Sequence, residues 1–409
     1  MRVAFAGGGI VGMTAAIALR ERRVDVTVFE PAEPVVRTVA GSACYLSAGE
    51  IVPLPSPQLL ADLPKLLFDR SGPLALRLAY LPQMLPWGMR FLAAARPANV
   101  ALGIEALSSL NRYANDATFA SARRAGAEQF LERRGGIHVA RDTQTLAALR
   151  KNKELLDRAQ IAAEFLSAEQ LRGLEPALAP ALAGGLFFPG DARVRDPERF
   201  GGRLAGYFRE IGGAIEPKAV SAIVRENDGW RAAPSNERFT HVVVTAGAWS
   251  RELLRPLGYF VPLDTERGYN LTLPDPQVTV QRPIVFIESH VAVTPLDYGL
   301  RITGTVEFAG LQAPPDWRRA DMLRGIVQSY FPGTRCDNAT RWMGFRPALP
   351  DVLPAIGEAA RHTGLFYAFG HEHLGFTQAA ITAECLAALV TQERPPVDLR
   401  PFDLERFRR

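Results

Sequence analysis

The chain begins with Val3-Ala4-Phe5-Ala6-Gly7-Gly8-Gly9-Ile10-Val11-Gly12, continues with an Ala-rich stretch over 13–19, and reaches Val24-Asp25-Val26-Thr27-Val28-Phe29-Glu30. The first and last of these segments predict buried strands, and the Ala-rich stretch predicts a helix between them. In the GxGxxG turn, Gly7 permits the tight turn, Gly9 admits a pyrophosphate close to the backbone, and Gly12 lets the helix pack on the strand. This order of elements indicates a dinucleotide-binding unit, with a βαβ unit that binds no ligand as the alternative.

Glu30 narrows the choice of dinucleotide. It lies eighteen residues after Gly12, about where a carboxylate contacts a ribose 2′-hydroxyl. A carboxylate here would repel a 2′-phosphate, which favours FAD or NAD over NADP. The helix after the glycines would turn its unpaired N–H groups and its positive dipole end towards the phosphates.

Composition limits both the fold and the partners. With 409 residues and 47% hydrophobic content, the chain is long enough for two or three domains with a sizeable core. The net charge of +4 is small for this length and the arginines are scattered, so we expect no nucleic-acid partner. The isolated cysteines Cys44, Cys336 and Cys385 indicate neither a disulfide framework nor a zinc site, and they fit a cytoplasmic protein.

The segment 63–96 is rich in Leu, Pro and Met and carries few charges. This composition favours a surface packed between domains, and a surface that contacts a membrane or a partner subunit is the alternative. No run of eighteen uncharged apolar residues occurs, so we expect no membrane span. A peripheral position on the inner face of the membrane remains compatible with the cytoplasmic location.

Local signals predict several elements further along the chain. Apolar residues at three- and four-residue spacing over 104–117 predict a helix, 167–170 is a capping box, and Asp196-Pro197 predicts a helix that stops at 212–213. A strand pair is expected at 214–216 and 220–225, and a strand buried on both faces at 242–244. Short strands between 262 and 301 predict an antiparallel sheet. A strand at 364–369, a glycine turn and a helix from about Thr377 close the chain.

Taken in order, these segments resemble the flavoprotein family of D-amino-acid dehydrogenases, glycine oxidase and sarcosine oxidase, and most of all the bacterial D-amino-acid dehydrogenase small-subunit type. The resemblance covers nearly the whole chain. Its motifs are the GxGxxG with Glu30, Ser47-Ala48-Gly49, VVVTAGAWS at 242–250, Arg267-Gly268-Tyr269, WMGFRP at 342–347, GHEHLGFT at 370–377 and the terminal segment 398–407.

The resemblance implies an α/β fold with two interleaved domains. A Rossmann-like FAD-binding domain would comprise 1–50, 160–260 and 336–409. An α+β substrate domain carrying an antiparallel sheet would comprise 51–159 and 261–335.

The resemblance also implies one FAD. Some relatives attach the flavin through a cysteine, but Cys336 does not stand in that context, so we expect non-covalent binding. Only one GxGxxG is present, so no second site for a nicotinamide cofactor is evident. By this analogy the residues that hold FAD are Gly7, Gly9, Ile10, Val11, Gly12, Glu30, Ser42, Ser47, Gly49, Val220, Gly247, Trp249, His371, Leu374, Gly375 and Thr377.

The implied reaction is oxidation of the CH–NH bond of a D-amino acid by hydride transfer to flavin, giving an imino acid and then a 2-oxo acid. Arg346 matches the family arginine whose planar guanidinium binds the substrate carboxylate, and Tyr269 matches the tyrosine whose hydroxyl helps to hold it. His373 is expected to line the active site. Glu372 stands where many relatives have a smaller residue, which resembles members acting on cyclic substrates such as D-proline or D-hydroxyproline.

His371 and His373 form an HxH pair, but an isolated pair is poor support for a metal site, so we expect no metal. The expected electron acceptor is a quinone or a carrier, as for a dehydrogenase. Two alternatives stay open: an oxidase that uses oxygen, and a non-catalytic flavin-carrying subunit docked through 63–96. A carboxylate-binding group such as Arg346 argues against the subunit. The residues themselves do not distinguish D from L substrates.

Overall fold

The computed structural model of the chain describes residues 1–35, 37–57, 59, 72–227 and 229–408. Residues 63–71 of the apolar segment 63–96 lie outside this part of the chain. The α-helices are α1 Ile10–Glu21, α2 Arg37–Ala40, α3 Leu81–Ala94, α4 Pro97–Arg124, α5 Thr143–Arg158, α6 Ala168–Leu174, α7 Pro197–Glu210, α8 Ser250–Leu254, α9 Arg318–Tyr330 and α10 Gly375–Val390.

In the described part of the chain the β-strands form two large sheets and two small ones. They are β1 Arg2–Ala6, β2 Asp25–Phe29, β3 Tyr45–Leu46, β4 Leu74–Leu76, β5 Leu131–Glu132, β6 Gly136–Ala140, β7 Glu164–Ser167, β8 Gly184–Phe188, β9 Ala192–Val194, β10 Ala214–Glu216, β11 Ala222–Glu226, β12 Gly229–Ala233, β13 Arg238–Phe239, β14 His241–Val244, β15 Asp264–Leu273, β16 Ile284–Phe286, β17 Val291–Leu296, β18 Gly299–Phe308, β19 Thr340–Ala348, β20 Ala355–Glu358 and β21 Leu365–Phe369.

The first large sheet has six strands in the order β10-β2-β1-β14-β21-β20, and only the edge pair β20–β21 is antiparallel. Its central strands are apolar throughout because both faces are covered. The side chains of Val3 and Phe5 join the core under α1 and α10, whereas those of Ala4 and Ala6 join a core with β12 and β13. This sheet confirms the predicted α/β nucleotide-binding unit.

The second large sheet has nine strands and is mostly antiparallel. Its order is β19-β15-β18-β17-β16-β6-β8-β7, and β4 pairs with β18 beyond the end of β17. Helix α9 packs on one face through Ala320, Leu323 and Val327. The antiparallel sheet predicted between 262 and 301 is therefore present, and it extends well beyond those residues.

The large antiparallel sheet collects strands from distant parts of the chain. Strands β7, β8 and β19 pair in it, although the predicted boundaries assign 160–260 and 336–409 to the FAD-binding domain. Strands β10 and β11 both form, but they do not pair with each other as expected: β10 lies beside β2, and β11 pairs with β12. The exact domain boundaries stay a prediction.

Helix α10 is the central helix of the fold, and it begins two residues earlier than predicted. It packs between α1 and α4, with Ala379 and Ala383 in one core and Ile381 and Cys385 in another. Among the described residues, 372–390 is the one segment long and apolar enough to cross a membrane, but 78% of its apolar window is buried inside the protein. Its composition therefore reflects a place in the core.

Helix caps follow the sequence closely. The Ser167 hydroxyl accepts a hydrogen bond from the Gln170 N–H, and the Gln170 side chain accepts one from the Ser167 N–H, which is the predicted capping box. The Asp196 carboxylate accepts from the Arg199 N–H at 3.0 Å at the start of α7. Helix α7 ends at Glu210, just before the glycines that were predicted to stop it.

Helix α3 exposes most of its apolar side chains. Within it only Trp87 is buried, whereas Leu85 and Met89 are more than half exposed. Leu78, just before α3, is also exposed. The described part of the apolar segment therefore forms a surface as well as a contact with β18 and β19.

Candidate active site

A cavity of about 600 Å³ is bounded by both large sheets. The carboxyl ends of β1, β2, β14 and β21 form one wall, and β15 and β19 form another. Ligands of open α/β sheets bind at the carboxyl ends of the strands, so the position is the expected one. Most of the predicted site residues line it: Gly7, Gly9, Ile10, Val11, Glu30, Ser42, Val220, Gly247, Trp249, Arg346, His371, His373 and Gly375.

The β1–α1 turn consists largely of glycines, so its backbone faces the cavity without covering side chains. Gly7 has a φ of +112°, and a Cβ on Gly12 would collide with the Gly7 carbonyl oxygen, so both positions require glycine. A Cβ on Gly9 would meet nothing within 4 Å and would occupy the space beside the turn. No side chain of the described residues caps α1, which leaves its first N–H groups for an anionic ligand.

Glu30 is fixed at the end of β2 by two backbone groups. Its carboxylate accepts hydrogen bonds from the Gly8 N–H at 2.9 Å and the Ala32 N–H at 3.2 Å. Each carboxylate oxygen has a second lone pair, so the group can still accept from a ribose hydroxyl. Glu30 therefore fits the role that its spacing predicted.

The turn between β21 and α10 places two histidines in the wall. His371 is buried, its Nε2 lies 3.0 Å from Thr382 Oγ1, and burial lowers its pKa to about 3, so the ring is neutral. His373 Nδ1 is hydrogen-bonded to the Glu372 carboxylate. Both histidines are held by protein groups.

The pKa of His373 is lowered by burial. Glu50 opposes this shift, and the positive charge of Arg346 adds to it. Arg346 is the one Arg or Lys among the described residues of the cavity wall, so it is the permanent cation there.

The Arg346 side chain on β19 extends over Gly268 of the neighbouring strand β15 to reach the cavity. A Cβ on Gly268 of β15 would lie 2.5 Å from the Arg346 Cζ, so the guanidinium packs directly over the backbone there. Among the described residues Arg346 forms no hydrogen bond or salt bridge, and it interacts electrostatically with Glu266 and His373. A cavity arginine with unused donors is suited to a carboxylate ligand, because its planar fork matches that group.

Tyr269 lies on the other face of β15, which corrects its predicted role. Its hydroxyl donates to Glu307 at 2.5 Å and accepts from the Asp316 N–H at 3.0 Å. Side chains alternate along a strand, so Tyr269 points away from the face that Gly268 presents to the cavity. Burial, together with the hydrogen bond to Glu307, raises the pKa of Tyr269 to about 12. We therefore assign it a structural role and leave it out of the site.

Arg267, in the same motif, also has a structural role. It is fully buried, and its guanidinium donates to the backbone carbonyls of Gly310 and Ala313, each at 2.7 Å. The Arg267-Gly268-Tyr269 motif thus contributes its central glycine to the cavity and its flanking side chains to the fold.

Other predicted cofactor residues lie behind the cavity wall. The Ser47 N–H donates to Thr377 Oγ1 at 3.2 Å, which ties the loop after β3 to α10. Leu374 is buried, and a Cβ on Gly49 would collide with the Phe188 ring. The residues absent from the wall are Gly12, Ser47, Gly49, Leu374 and Thr377.

Several wall residues were not predicted as site residues. The indole of Trp342 packs where a Cβ on Gly41 or Gly344 would stand, so two glycines make room for one aromatic ring. Phe345 meets the predicted cofactor residue Trp249 edge to face, with ring centroids 5.8 Å apart. The WMGFRP motif already contains Trp342 and Phe345, but only the folded strand shows that they flank Arg346.

The cysteines and the potential metal ligands were also compared with the cavity wall. Cys44 lines the cavity, and burial raises the pKa of its thiol, whereas Cys336 lies elsewhere. The described residues contain no group of three or more His, Cys, Asp or Glu side chains placed to hold a metal ion. Non-covalent attachment of the cofactor stays a prediction.

An α/β sheet whose glycine turn, acid and uncapped helix converge on one large cavity defines a dinucleotide-binding protein. The chain matches the FAD dependent oxidoreductase (DAO) family over residues 2–389, and it belongs to that family. FAD is therefore its cofactor, and the family predicted from the motifs is confirmed. The open space beside Gly9 and the bound carboxylate of Glu30 fit this cofactor.

Comparisons with individual proteins agree with this family assignment. A D-amino-acid oxidase from Bradyrhizobium diazoefficiens is 34% identical over 421 residues, covering 99% of this chain and 98% of the relative. The structure of glycine oxidase from Geobacillus kaustophilus matches with a TM-score of 0.73 at 22% identity, covering 98% of each chain. That of L-proline dehydrogenase from P. horikoshii matches with a TM-score of 0.74 at 18% identity, covering 100% of this chain and 97% of the other. The two structures support the fold.

Proposed function

We propose that this flavoprotein oxidises the carbon–nitrogen bond of a D-amino acid whose carboxylate binds Arg346. The observation that carries this proposal is a cationic side chain in the cavity wall with no hydrogen-bonded partner among the described residues. The D-configuration is supported by the similarity to a D-amino-acid oxidase that is 34% identical. The product is an imino acid, which water hydrolyses to a 2-oxo acid.

The chain contributes binding and orientation. FAD, when bound, supplies the two-electron acceptor for the hydride of the substrate Cα–H bond. Arg346 holds the carboxylate through two parallel N–H···O bonds, which fixes the direction of the Cα–H bond. Gly268 lets the guanidinium lie close to β15. Glu30 and the β1–α1 turn hold the adenosine ribose and the pyrophosphate.

A panel of amino acids tests this function. The holoenzyme is mixed anaerobically with D-, L-, N-methyl and cyclic amino acids, including D-proline, and loss of flavin absorbance is recorded. D-amino acids should bleach the flavin fastest. If L-amino acids do so instead, the proposed stereochemistry is wrong, and if no amino acid does so, the proposed function is wrong. Bleaching of the purified chain alone also excludes the non-catalytic subunit.

A matched pair of variants tests the role of Arg346. Arg346→Ala should raise KM about 30-fold or more while FAD stays bound, because a desolvated charge pair with the substrate is lost. Arg341→Ala is the control, since Arg341 lies on the same strand but pairs with Asp321 at the surface. Equal KM values for the two variants would remove Arg346 from the site.

The second candidate function concerns the electron acceptor. The motifs predicted a dehydrogenase that uses a quinone or a carrier, whereas the name of the 34% identical relative favours an oxidase. The substrate-reduced holoenzyme, mixed with air-saturated buffer in a stopped-flow instrument, distinguishes the two. Reoxidation faster than turnover would make the chain an oxidase, and slow reoxidation with rapid electron transfer to a quinone would make it a dehydrogenase.

A further inference from the structure

Glu266 on β15 is a buried carboxyl group with unusually few partners. It is 4% exposed, yet within the described chain no group donates a hydrogen bond to it and no cation lies at salt-bridge distance. Buried carboxyl groups are normally paired or hydrogen-bonded, because an isolated charge is costly to desolvate. An exception on a strand of the cavity wall requires an explanation.

The register of β15 and β19 places Glu266 directly opposite Arg346. Directly opposed residues project from the same face of a sheet, and Gly268, two residues further along β15, shares that face. The Arg346 guanidinium packs over Gly268 and lines the cavity, whereas Glu266 does not line it. Glu266 can therefore act on a bound ligand only through Arg346.

The charges of the two groups depend on each other. Burial lowers the pKa of Arg346, and Glu266 opposes this shift. Burial raises the pKa of Glu266 to about 7, with Arg346 acting in the opposite direction and Asp264 in the same one. Arg346 is thus the main counter-charge of a carboxyl group that titrates near neutral pH.

The neighbouring titratable groups are held differently. Asp264 accepts hydrogen bonds from the Tyr80 hydroxyl at 2.8 Å and the Thr265 N–H at 2.7 Å. His373 is the other titratable group coupled to Arg346, and burial lowers its pKa. Of Asp264, His373 and Glu266, only Glu266 has neither a hydrogen bond nor a close ion pair with another described residue.

We infer that Glu266 is a positioning residue that competes with the substrate carboxylate for Arg346, so that binding of the carboxylate is accompanied by uptake of one proton. The inference rests on the proposed function of Arg346. Two carboxylates that share one cation do not both stay ionised, because the second charge lacks compensation. When the ligand carboxylate binds Arg346, its negative charge offsets the positive charge of Arg346 that acts on Glu266, and Glu266 becomes the neutral acid.

The pH dependence of ligand binding follows from this linkage. Below about pH 7 Glu266 already carries its proton, the site has a net positive charge, and carboxylate affinity is independent of pH. Above about pH 7 the proton must be taken from solvent, so the dissociation constant rises by up to about tenfold per pH unit. Through Glu266, the dissociation constant of the substrate therefore increases with pH. The rate of hydride transfer from bound substrate does not change.

Propanoate is a suitable probe, because it has the carboxylate of an amino acid but no amino group to oxidise. The holoenzyme is titrated with propanoate from pH 5.5 to 8.5, and the dissociation constant is read from the change in the flavin spectrum. The wild type should lose about tenfold in affinity per pH unit above 7. Glu266→Gln should bind with one affinity across the range, at least tenfold tighter than the wild type at pH 8.5.

Two further variants make the result decisive. Asp264→Asn removes a neighbouring carboxylate on the same strand that raises the pKa of Glu266, so it should keep the wild-type slope but begin to lose affinity at a lower pH. Glu266→Leu removes the acid without an amide, and it should abolish the pH dependence if Glu266→Gln folds poorly. Retained FAD absorbance shows that each variant is folded.

The outcome separates this inference from the proposed function. If Arg346→Ala loses propanoate binding but both Glu266 variants keep the wild-type pH dependence, the role of Glu266 is overturned and the carboxylate site stands. If Arg346→Ala binds propanoate like the wild type, the carboxylate site itself fails. In turnover, Glu266→Gln should lower KM at pH 8.5 with kcat unchanged, which a general structural defect would not do.

Discussion

At the scale of single residues, the cavity depends on positions where no side chain is present. Gly268 lies under the Arg346 guanidinium, Gly9 faces the space beside α1, and Gly41 and Gly344 make room for Trp342. Each glycine allows a ligand or a large side chain to approach the backbone closely. A methyl group at each of these positions therefore has a distinct expected effect.

Gly268→Ala should displace Arg346 and leave the rest of the site intact. The added Cβ would lie 2.5 Å from the Arg346 Cζ, so the guanidinium must move away from β15. We expect KM for the amino acid to rise about 10- to 100-fold, the value of a charge-assisted contact, with FAD still bound. Gly202→Ala on α7 is the control, because its Cβ would meet nothing within 4 Å. An unchanged KM would contradict this account.

Gly9 and Gly12 should respond differently to the same substitution. Gly9→Ala has ordinary backbone angles and open space, so the apoprotein should keep its stability while FAD affinity falls roughly 5- to 150-fold through the clash with the ligand. Gly12→Ala should destabilise the apoprotein, since its Cβ would collide with the Gly7 carbonyl oxygen. Apoprotein unfolding and FAD titration separate the two effects. Equal loss of apoprotein stability would show that Gly9 is structural.

Asp191 gives a pH-dependent stability that is independent of catalysis. It is buried and accepts a hydrogen bond from the Tyr45 hydroxyl, and burial raises its pKa to about 7. The unfolded carboxyl loses its proton near pH 3.8, so between that pH and about 7 the folded state binds more protons. The free energy of unfolding contributed by this group therefore falls as pH rises through this window and is constant above it.

Comparison with Asp191→Asn measures this contribution. Relative to the variant, the wild type should lose up to about 4 kcal/mol between pH 4 and pH 7, measured by denaturant unfolding. Asp116→Asn, at an exposed carboxylate, is the control for a general effect of the substitution. A constant difference between wild type and Asp191→Asn across the window would contradict the expected ionisation.

At the scale of elements, α3 presents a surface that does not match a solvated helix. Leu85 and Met89 are four residues apart on one face and are exposed, and no Asp or Glu occurs over 72–104. An apolar face flanked only by arginines suits an anionic bilayer surface. Contact of this segment with a membrane remains a prediction.

Vesicle binding tests that prediction. The wild type should co-sediment with vesicles containing anionic phospholipid, and the double variant Leu85→Ser, Met89→Ser should not. Because both side chains are exposed, the free energy of unfolding should change by less than about 0.5 kcal/mol per substitution. Tyr113→Ser, at another exposed site, should leave vesicle binding unchanged. A wild type that stays in solution would exclude a lipid surface.

At the scale of the whole molecule, the cavity joins parts of the chain that are far apart in sequence. Its wall combines segments from 6–45, 219–253 and 342–376. A ligand that touches all of them binds only the folded chain. Cofactor binding and global stability should therefore be linked.

Thermal unfolding measures this linkage. FAD at one hundred times its dissociation constant should stabilise the folded chain by about 2.7 kcal/mol, so the melting temperature should rise with the logarithm of FAD concentration. Gly9→Ala should need proportionally more FAD for the same rise. A melting temperature that does not change with FAD concentration would mean that the folded apoprotein does not form the FAD-binding site.

The sequence by itself determined the features that depend on local order. The βαβ unit, Glu30, the caps at Ser167 and Asp196, and the place of Arg346 in a recognisable motif follow from spacing and residue type, because their partners are close in the chain. These signals are enough for the family and its cofactor.

Only the tertiary structure decided which face each strand presents and which strands become neighbours. Tyr269 and Gly268 are adjacent in one motif, but the pleat sends the tyrosine to Glu307 and the glycine to the cavity. Strand β11 pairs with β12 and not with β10 as expected. Strand β19 pairs with β15 so that Arg346 lies opposite Glu266. Register between distant strands is set by packing of the whole sheet, so no local pattern could have shown that a buried acid lies opposite Arg346.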